Sequence, residues 1–147
     1  MRELKDLVER LVIAGWEPAA RAAYAVAAWS RRLHWEEGRP LVSGADSVPL
    51  EEDHRLYDGC LHAIEEALSA PSEETRRLTA QAADAVRYSG RSSNFLFIAR
   101  YAALQTAGYD LFFTDMQEPW LWAACLHVRH ALGYLPPSEL IRDELPT

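Results

Sequence analysis

Helical spacing of apolar residues recurs along almost the whole chain, and it constrains the fold more than any other feature. In the first segment these residues are Leu4, Leu7, Val8, Leu11 and Val12. Five further segments repeat the spacing, and none alternates apolar and polar residues as a half-buried strand would. The segments end near Gly15, Gly38, Pro71, Gly90, Gly108 and Gly133. We therefore predict an all-α, single-domain helical bundle over residues 1–147, with about six helices plus a short C-terminal helix capped by Ser138.

Boundary residues refine this prediction. Residues 38–49 are rich in Gly, Pro, Ser and Asp, which predicts a loop longer than most connections. Ser72 is a suitable N-cap for the fourth helix, on which Glu73 and Arg77 have i,i+4 spacing. The fifth helix, capped by Ser92 or Ser93, is apolar almost all round, so we expect it at the centre. Asp115 and Glu118 resemble a capping box, which predicts a sixth helix from about Met116 to Leu132.

Charge is concentrated in one stretch. Residues 36–66 contain two bases, Arg39 and Arg55, and nine acids, so their net charge is 2 − 9 = −7, equal to that of the whole chain. The acids are Glu36, Glu37, Asp46, Glu51, Glu52, Asp53, Asp58, Glu65 and Glu66. A field of one sign repels nucleic acid and anionic membranes and attracts a basic partner. We therefore expect neither nucleic acid nor membrane as a partner.

Targeting and reactivity signals are few. The first residues carry charges instead of the apolar core of a signal peptide, which predicts a cytoplasmic protein. Cys60 and Cys125 lie in apolar helical contexts, so we expect buried, reduced and unreactive thiols. No nucleophile elbow, phosphate loop or dinucleotide fingerprint occurs, which argues against an enzyme of those classes.

The acidic stretch overlaps the third predicted helix and forms what we call the acidic ridge: Glu51, His54, Asp58, His62 and Glu65. At 100° per residue these side chains fall within about 80° of one another, beside the apolar face that holds Tyr57 and Leu61. Such a ridge is a solvated face, a surface for a basic partner or part of a metal site. It keeps its field unless the fold brings Arg76, Arg77 and Arg87 against it.

Two histidines lie one turn apart on the sixth predicted helix, in the segment His127-Val128-Arg129-His130. An early histidine with a late histidine pair in a helical bundle resembles the DinB-like metal-dependent family, although the late pair of that family is His-x-x-x-His. The resemblance implies a divalent transition metal bound by His54 or His62 together with His127 and His130, and a metal-dependent enzyme.

Trp122 points away from the apolar stripe of its own helix, which indicates a second packing partner or an exposed anchor. The leading interpretation is an acidic, cytoplasmic protein-binding module without a cofactor that masks a basic partner, of the type of immunity proteins and antitoxins. Its predicted binding residues are Glu36, Glu37, Asp46, Glu51, Glu52, Asp53, Asp58 and Trp122. The alternatives are the metal-dependent enzyme and a self-associating structural subunit with Trp122 in the interface.

Overall fold

A computed structural model describes residues 2–42, 51–91, 93–108 and 118–146 of the chain. Its helices are α1 (Arg2–Ala14), α2 (Trp16–Arg31), α3 (Glu51–Ser69), α4 (Glu73–Tyr88), α5 (Asn94–Ala107), α6 (Trp120–Leu132) and the short α7 (Glu139–Arg142). One π-helical turn, Arg32–Glu36, extends α2. The described ranges contain no strand, so the predicted all-α bundle is confirmed.

The centre of the bundle is α5, as its sequence predicts. Nine of its residues are buried: Phe95, Leu96, Ile98, Ala99, Ala102, Ala103, Leu104, Thr106 and Ala107. It contacts four other helices, α2, α3, α4 and α6. Alanines on α5 and α2 have short side chains, which lets these helices approach closely without leaving voids.

Several predicted boundaries are confirmed. Ser72 caps α4 by accepting a hydrogen bond from the backbone N–H of Thr75 at 3.0 Å, and Ser93 caps α5 by accepting one from Leu96 at 3.2 Å. Gly108 and Gly133 end α5 and α6 with φ values of 67° and 92°, a left-handed conformation that glycine adopts without steric cost.

One local prediction is wrong. The helix α6 begins at Trp120 rather than near Met116, and its N-cap is Pro119, which has no cap side chain. Instead, Gln105 of α5 accepts a hydrogen bond from the backbone N–H of Leu121 at 2.9 Å, a tertiary cap that the local pattern does not reveal. Asp115 and Met116 lie outside the described residues.

On α4, Arg77 forms an ion pair with Glu74 at 2.6 Å. The i,i+3 spacing lets its guanidinium bind both oxygens of the Glu74 carboxylate, at 2.6 and 2.9 Å.

Trp122 belongs to the core and not to a binding surface, which corrects its assignment to the partner-binding set. Only 2% of the residue is exposed. Its helix α6 contacts α1 and α2 as well as α5, so more than one side of α6 is covered. Trp122 points away from the apolar stripe of α6 because the bundle offers this second packing partner. In the described parts of the chain, no helix combines the length and the apolar character that crossing a bilayer requires.

We predict that Trp122→Ala lowers the free energy of unfolding by about 3–5 kcal/mol, because it removes a large buried side chain and leaves a cavity. Urea denaturation measures the change. The control is Tyr88→Ala, at a residue that is 74% exposed, which should change stability by less than about 0.5 kcal/mol. Equal effects of the two substitutions would contradict the placement of Trp122 in the core.

Candidate functional site

The acidic ridge follows the solvent side of α3. Glu51, His62 and Glu65 are exposed, whereas His54 and Asp58 are half-buried. The core-facing side of the helix, beside the ridge, holds its buried residues: Asp53, Tyr57, Cys60, Leu61, Ile64 and Ala67. Tyr57 anchors this buried side by donating a hydrogen bond from its hydroxyl to the carbonyl oxygen of Ala27 on α2 at 2.7 Å. The ridge is therefore carried by a rigid helix, as the sequence predicts.

Asp53 does not belong to the exposed acids, which corrects its assignment to the partner-binding set. It is 2% exposed because it lies on the core side of α3, one turn before Tyr57. Arg91, in the turn before α5, donates to both of its carboxylate oxygens, at 2.9 Å from Nε and 3.0 Å from Nη2. This pair joins α3 to the start of α5, so Asp53 supports the site without reaching a partner.

Asp58 has a second arginine partner, Arg31 at the end of α2. Arg31 donates to the two carboxylate oxygens at 2.6 and 3.1 Å, and its guanidinium also lies 3.3 Å from Glu36. The hydrogen bond to Asp58 is the largest cause of the raised pKa of Arg31. Asp58 therefore fastens α3 to α2 and is only partly available to a ligand.

The fold neutralises part of the acidic stretch, and it does so with arginines that the sequence interpretation did not consider. Arg31 pairs with Glu36 and Asp58, Arg32 pairs with Glu37, and Arg91 pairs with Asp53. Adding these three charges to the −7 of residues 36–66 leaves −4. In contrast, Arg76 packs over Trp16, Arg77 pairs with Glu74, and Arg87 packs over Tyr88.

Glu36, Glu37, Glu51 and Glu52 are exposed, as a partner-binding role requires. Glu52 pairs with Arg55 at 2.9 Å, and both groups are solvated, so this pair contributes little to stability. Asp46 lies outside the described residues.

Two open grooves lie one after the other along the exposed side of α3, and both reach Asp58. The first, of about 540 Å³, is lined by Glu51, Glu52, His54, Arg55 and Asp58. The second, of about 400 Å³, lies between α2 and α3, and its acidic residues are Glu36, Asp58 and Glu65. In it, Tyr24 donates a hydrogen bond to Glu65, and burial followed by this bond raises the pKa of Tyr24 to about 12. Carboxylates therefore border two neighbouring recesses along one helix.

An aromatic cluster that the sequence interpretation missed lies behind the ridge. The His54 ring stacks on Trp35 at 3.6 Å between centroids, and Trp35 meets Tyr57 and Phe95 edge-on at 5.1 and 4.9 Å. The residues come from α3, the π-helical turn and α5, so only the tertiary structure joins them. The one signal in the sequence is Trp35, an aromatic residue just before the acidic stretch.

The four candidate metal ligands do not come together. His54 stacks on Trp35, and His62 lies 3.6 Å from Glu66 on the same helix. His127 and His130 lie on α6, which has no contact with α3. Within the described ranges, no three His, Cys, Asp or Glu side chains are grouped in a way that could hold a metal ion. The arrangement that the DinB-like resemblance implies is not present in these ranges.

Neither thiol is placed for nucleophilic chemistry. Cys60 and Cys125 are buried and unpaired with each other, and burial raises the pKa of each to about 12. Both thiols are therefore protonated at neutral pH, as expected from their apolar contexts.

Comparison of the chain with protein-family models, with curated proteins and with solved structures returned no match in any of the three. The chemistry and geometry of the surface therefore carry the functional argument.

We predict that Asp53→Asn lowers the free energy of unfolding by about 1–3 kcal/mol, because the substitution removes the buried charge that Arg91 binds. Asp58→Asn is the matched substitution on the same helix. The Asp58 side chain is 47% exposed against 3% for Asp53, so its loss should cost at most about 1 kcal/mol. Urea denaturation compares the two, and the reverse order of effects would contradict the supporting role of Asp53.

We also predict a pH dependence that comes from His127. Burial, followed by the charges of His130 and Arg100, lowers the pKa of His127 from 6.5 to about 4. Between these values the unfolded chain binds a proton that the folded protein does not, so the contribution of His127 to stability is complete above pH 6.5 and decreases as the pH falls towards 4.

Urea denaturation of wild type and of His127→Asn at pH 7 and pH 5 tests this expectation. Between pH 7 and pH 5, the free energy of unfolding should fall more in wild type than in the variant. His62→Asn is the control, because the His62 side chain is 73% exposed, and it should follow wild type. Equal losses in wild type and His127→Asn would exclude His127 as the source.

Proposed function

We propose that this protein is a small acidic protein-binding module whose α3 carboxylates bind basic side chains of a partner protein. The observation that carries the proposal is the arrangement along α3: exposed acids on one helix border two neighbouring grooves that share Asp58. The proposed binding acids are Glu36, Glu51, Glu52, Glu65 and Glu66. Asp53 and Asp58 hold the helix in place through Arg91 and Arg31.

The two grooves match the shape of the proposed ligands. Lysine and arginine end in cations on flexible apolar stems, so their stems can enter a recess while their charges meet carboxylates at its rim. Glu51 and Glu52 border the first groove, and Glu36 and Glu65 border the second. A partner with several basic residues could engage both grooves at once.

The negative charge that remains on residues 36–66 favours rapid association with a basic partner more than it favours tight binding. Exposed acids of one sign increase the rate at which a basic partner finds the surface, and this effect decreases with salt. Masking the cationic active site of a toxin, as immunity proteins and antitoxins do, requires binding alone. A protein that acts by such binding would be of the type of immunity proteins and antitoxins.

A pull-down from native lysate tests the proposal with three baits. The first is wild type, and the second carries Glu51→Gln, Glu52→Gln, Glu65→Gln and Glu66→Gln. The matched control removes four exposed acids from α1, from α7 and from the residue that follows α7, through Asp6→Asn, Glu9→Gln, Glu139→Gln and Asp143→Asn. We expect wild type and the control to capture the same basic protein and the α3 variant to lose it.

Titration with the purified partner then measures the effect. Removing four rim charges should weaken binding at least about tenfold, mainly through a slower association rate, and should reduce the dependence of the dissociation constant on salt. Asp53 and Asp58 are unchanged, so the variant should unfold at the urea concentration of wild type. Capture of one set of proteins by all three baits, or binding that is independent of salt, would contradict the proposal.

A further inference from the structure

The helices α5 and α6 contain no aspartate or glutamate, although the chain has 22 acidic residues. Their charged residues are Arg100 and Arg129. The two helices pack against each other, so neither contributes an acid to the surface that they share, and the nearby Glu118, two residues before Trp120, is paired with Lys5 at 2.9 Å.

Aromatic rings connect the two helices on the solvent side of this shared surface. Tyr101 stacks on Trp120 at 5.4 Å and on His127 at 5.0 Å, and Phe97 meets His127 edge-on at 5.6 Å. All four residues are half-buried, so ring surface remains accessible. We call Phe97, Arg100, Tyr101, Trp120, His127 and His130 the aromatic face.

Arg100 gives the aromatic face its charge. Its guanidinium lies over the rings of Phe97 and Tyr101, at 5.8 and 5.2 Å from their centroids. Arg100 is half-buried and has no ion pair with a described residue, in contrast to Arg31 and Arg91. A cation held against aromatic rings and lacking a carboxylate is suited to bind an acidic side chain from another molecule.

The acidic ridge is the complementary surface, and it lies elsewhere on the same protein. Both α3 and α6 pack against α5 but have no contact with each other, so the ridge and the aromatic face lie on different sides of the central helix. Two complementary surfaces on different sides of one molecule allow head-to-tail contacts between copies.

We infer that the aromatic face is a docking surface for the acidic ridge of a second copy of this chain. The net charge of −7 does not prevent this contact, because repulsion between distant charges is screened beyond about 8 Å at physiological salt whereas the contact is local. Trp122, considered from the sequence as an interface residue, is buried, and Trp120 occupies the exposed side of α6 instead.

Sedimentation velocity of the purified protein tests the inference with a charge exchange. Variant A is Arg100→Glu, and variant B is Glu51→Lys with Glu65→Lys. In the wild type the mean mass should rise with concentration, and association should weaken at least about tenfold between about 50 mM and about 500 mM salt. Variants A and B alone should each remain monomeric, because each then presents surfaces of like charge.

The mixture of A and B gives the decisive result. The acidic ridge of variant B carries two lysines, which complement the glutamate on the aromatic face of variant A. The unchanged ridge of A complements the unchanged face of B as in wild type, so the mixture should associate. Arg10→Glu with Glu9→Lys on α1 is the matched control and should behave as wild type. Arg100→Gln removes the same charge more conservatively, and circular dichroism checks that each variant is folded.

A wild-type protein that stays monomeric up to about 1 mM would overturn the inference. Association that is unchanged in folded A and B, or an equimolar mixture that stays monomeric, would overturn it as well. The inference goes beyond the proposed function and does not rest on it, since this experiment uses the purified chain alone and the pull-down uses a foreign partner.

Discussion

Burial of α5 is the constraint on which the rest of the bundle depends. Its buried residues occupy most of the circumference of the helix, so the helix is stable only when other helices exclude water from nearly every side. Packing α2, α3, α4 and α6 around it satisfies this requirement. The same packing places the acidic ridge and the aromatic face on different sides of the protein, so the surface properties follow from the core.

Ion pairs between helices set which charges remain at the surface. Asp53 and Asp58 lie on one helix five residues apart, yet the first is buried against Arg91 and the second is half-exposed beside Arg31. A buried carboxylate needs a bound cation because an unpaired charge in the interior is strongly unfavourable. The proposed binding surface therefore consists of acids that are more exposed than Asp53 and Asp58.

Local signals predicted the bundle and many of its boundaries. Ser72, Ser93, Gly108 and Gly133 act within a single turn of chain, so their roles can be recognised from neighbouring residues. The start of α6 was predicted incorrectly because its amide is bound by Gln105, a residue of another helix. For the candidate site, spacing along α3 predicted the row of ridge residues. It did not predict the ion pairs with Arg31 and Arg91 or the stack of Trp35 on His54, because these contacts depend on which helices are neighbours.

The sequence by itself determined the all-α class, the central position of α5 and the solvent-facing row of acids on α3, because helical periodicity encodes which residues share a face. Only the tertiary structure decided that Asp53 and Trp122 are buried, that Arg31, Arg32 and Arg91 reduce the acidic field, and that His54 and His62 lie apart from His127 and His130. The physical reason is that burial and electrostatic pairing depend on the distance between side chains of different helices, and spacing along one helix does not specify that distance.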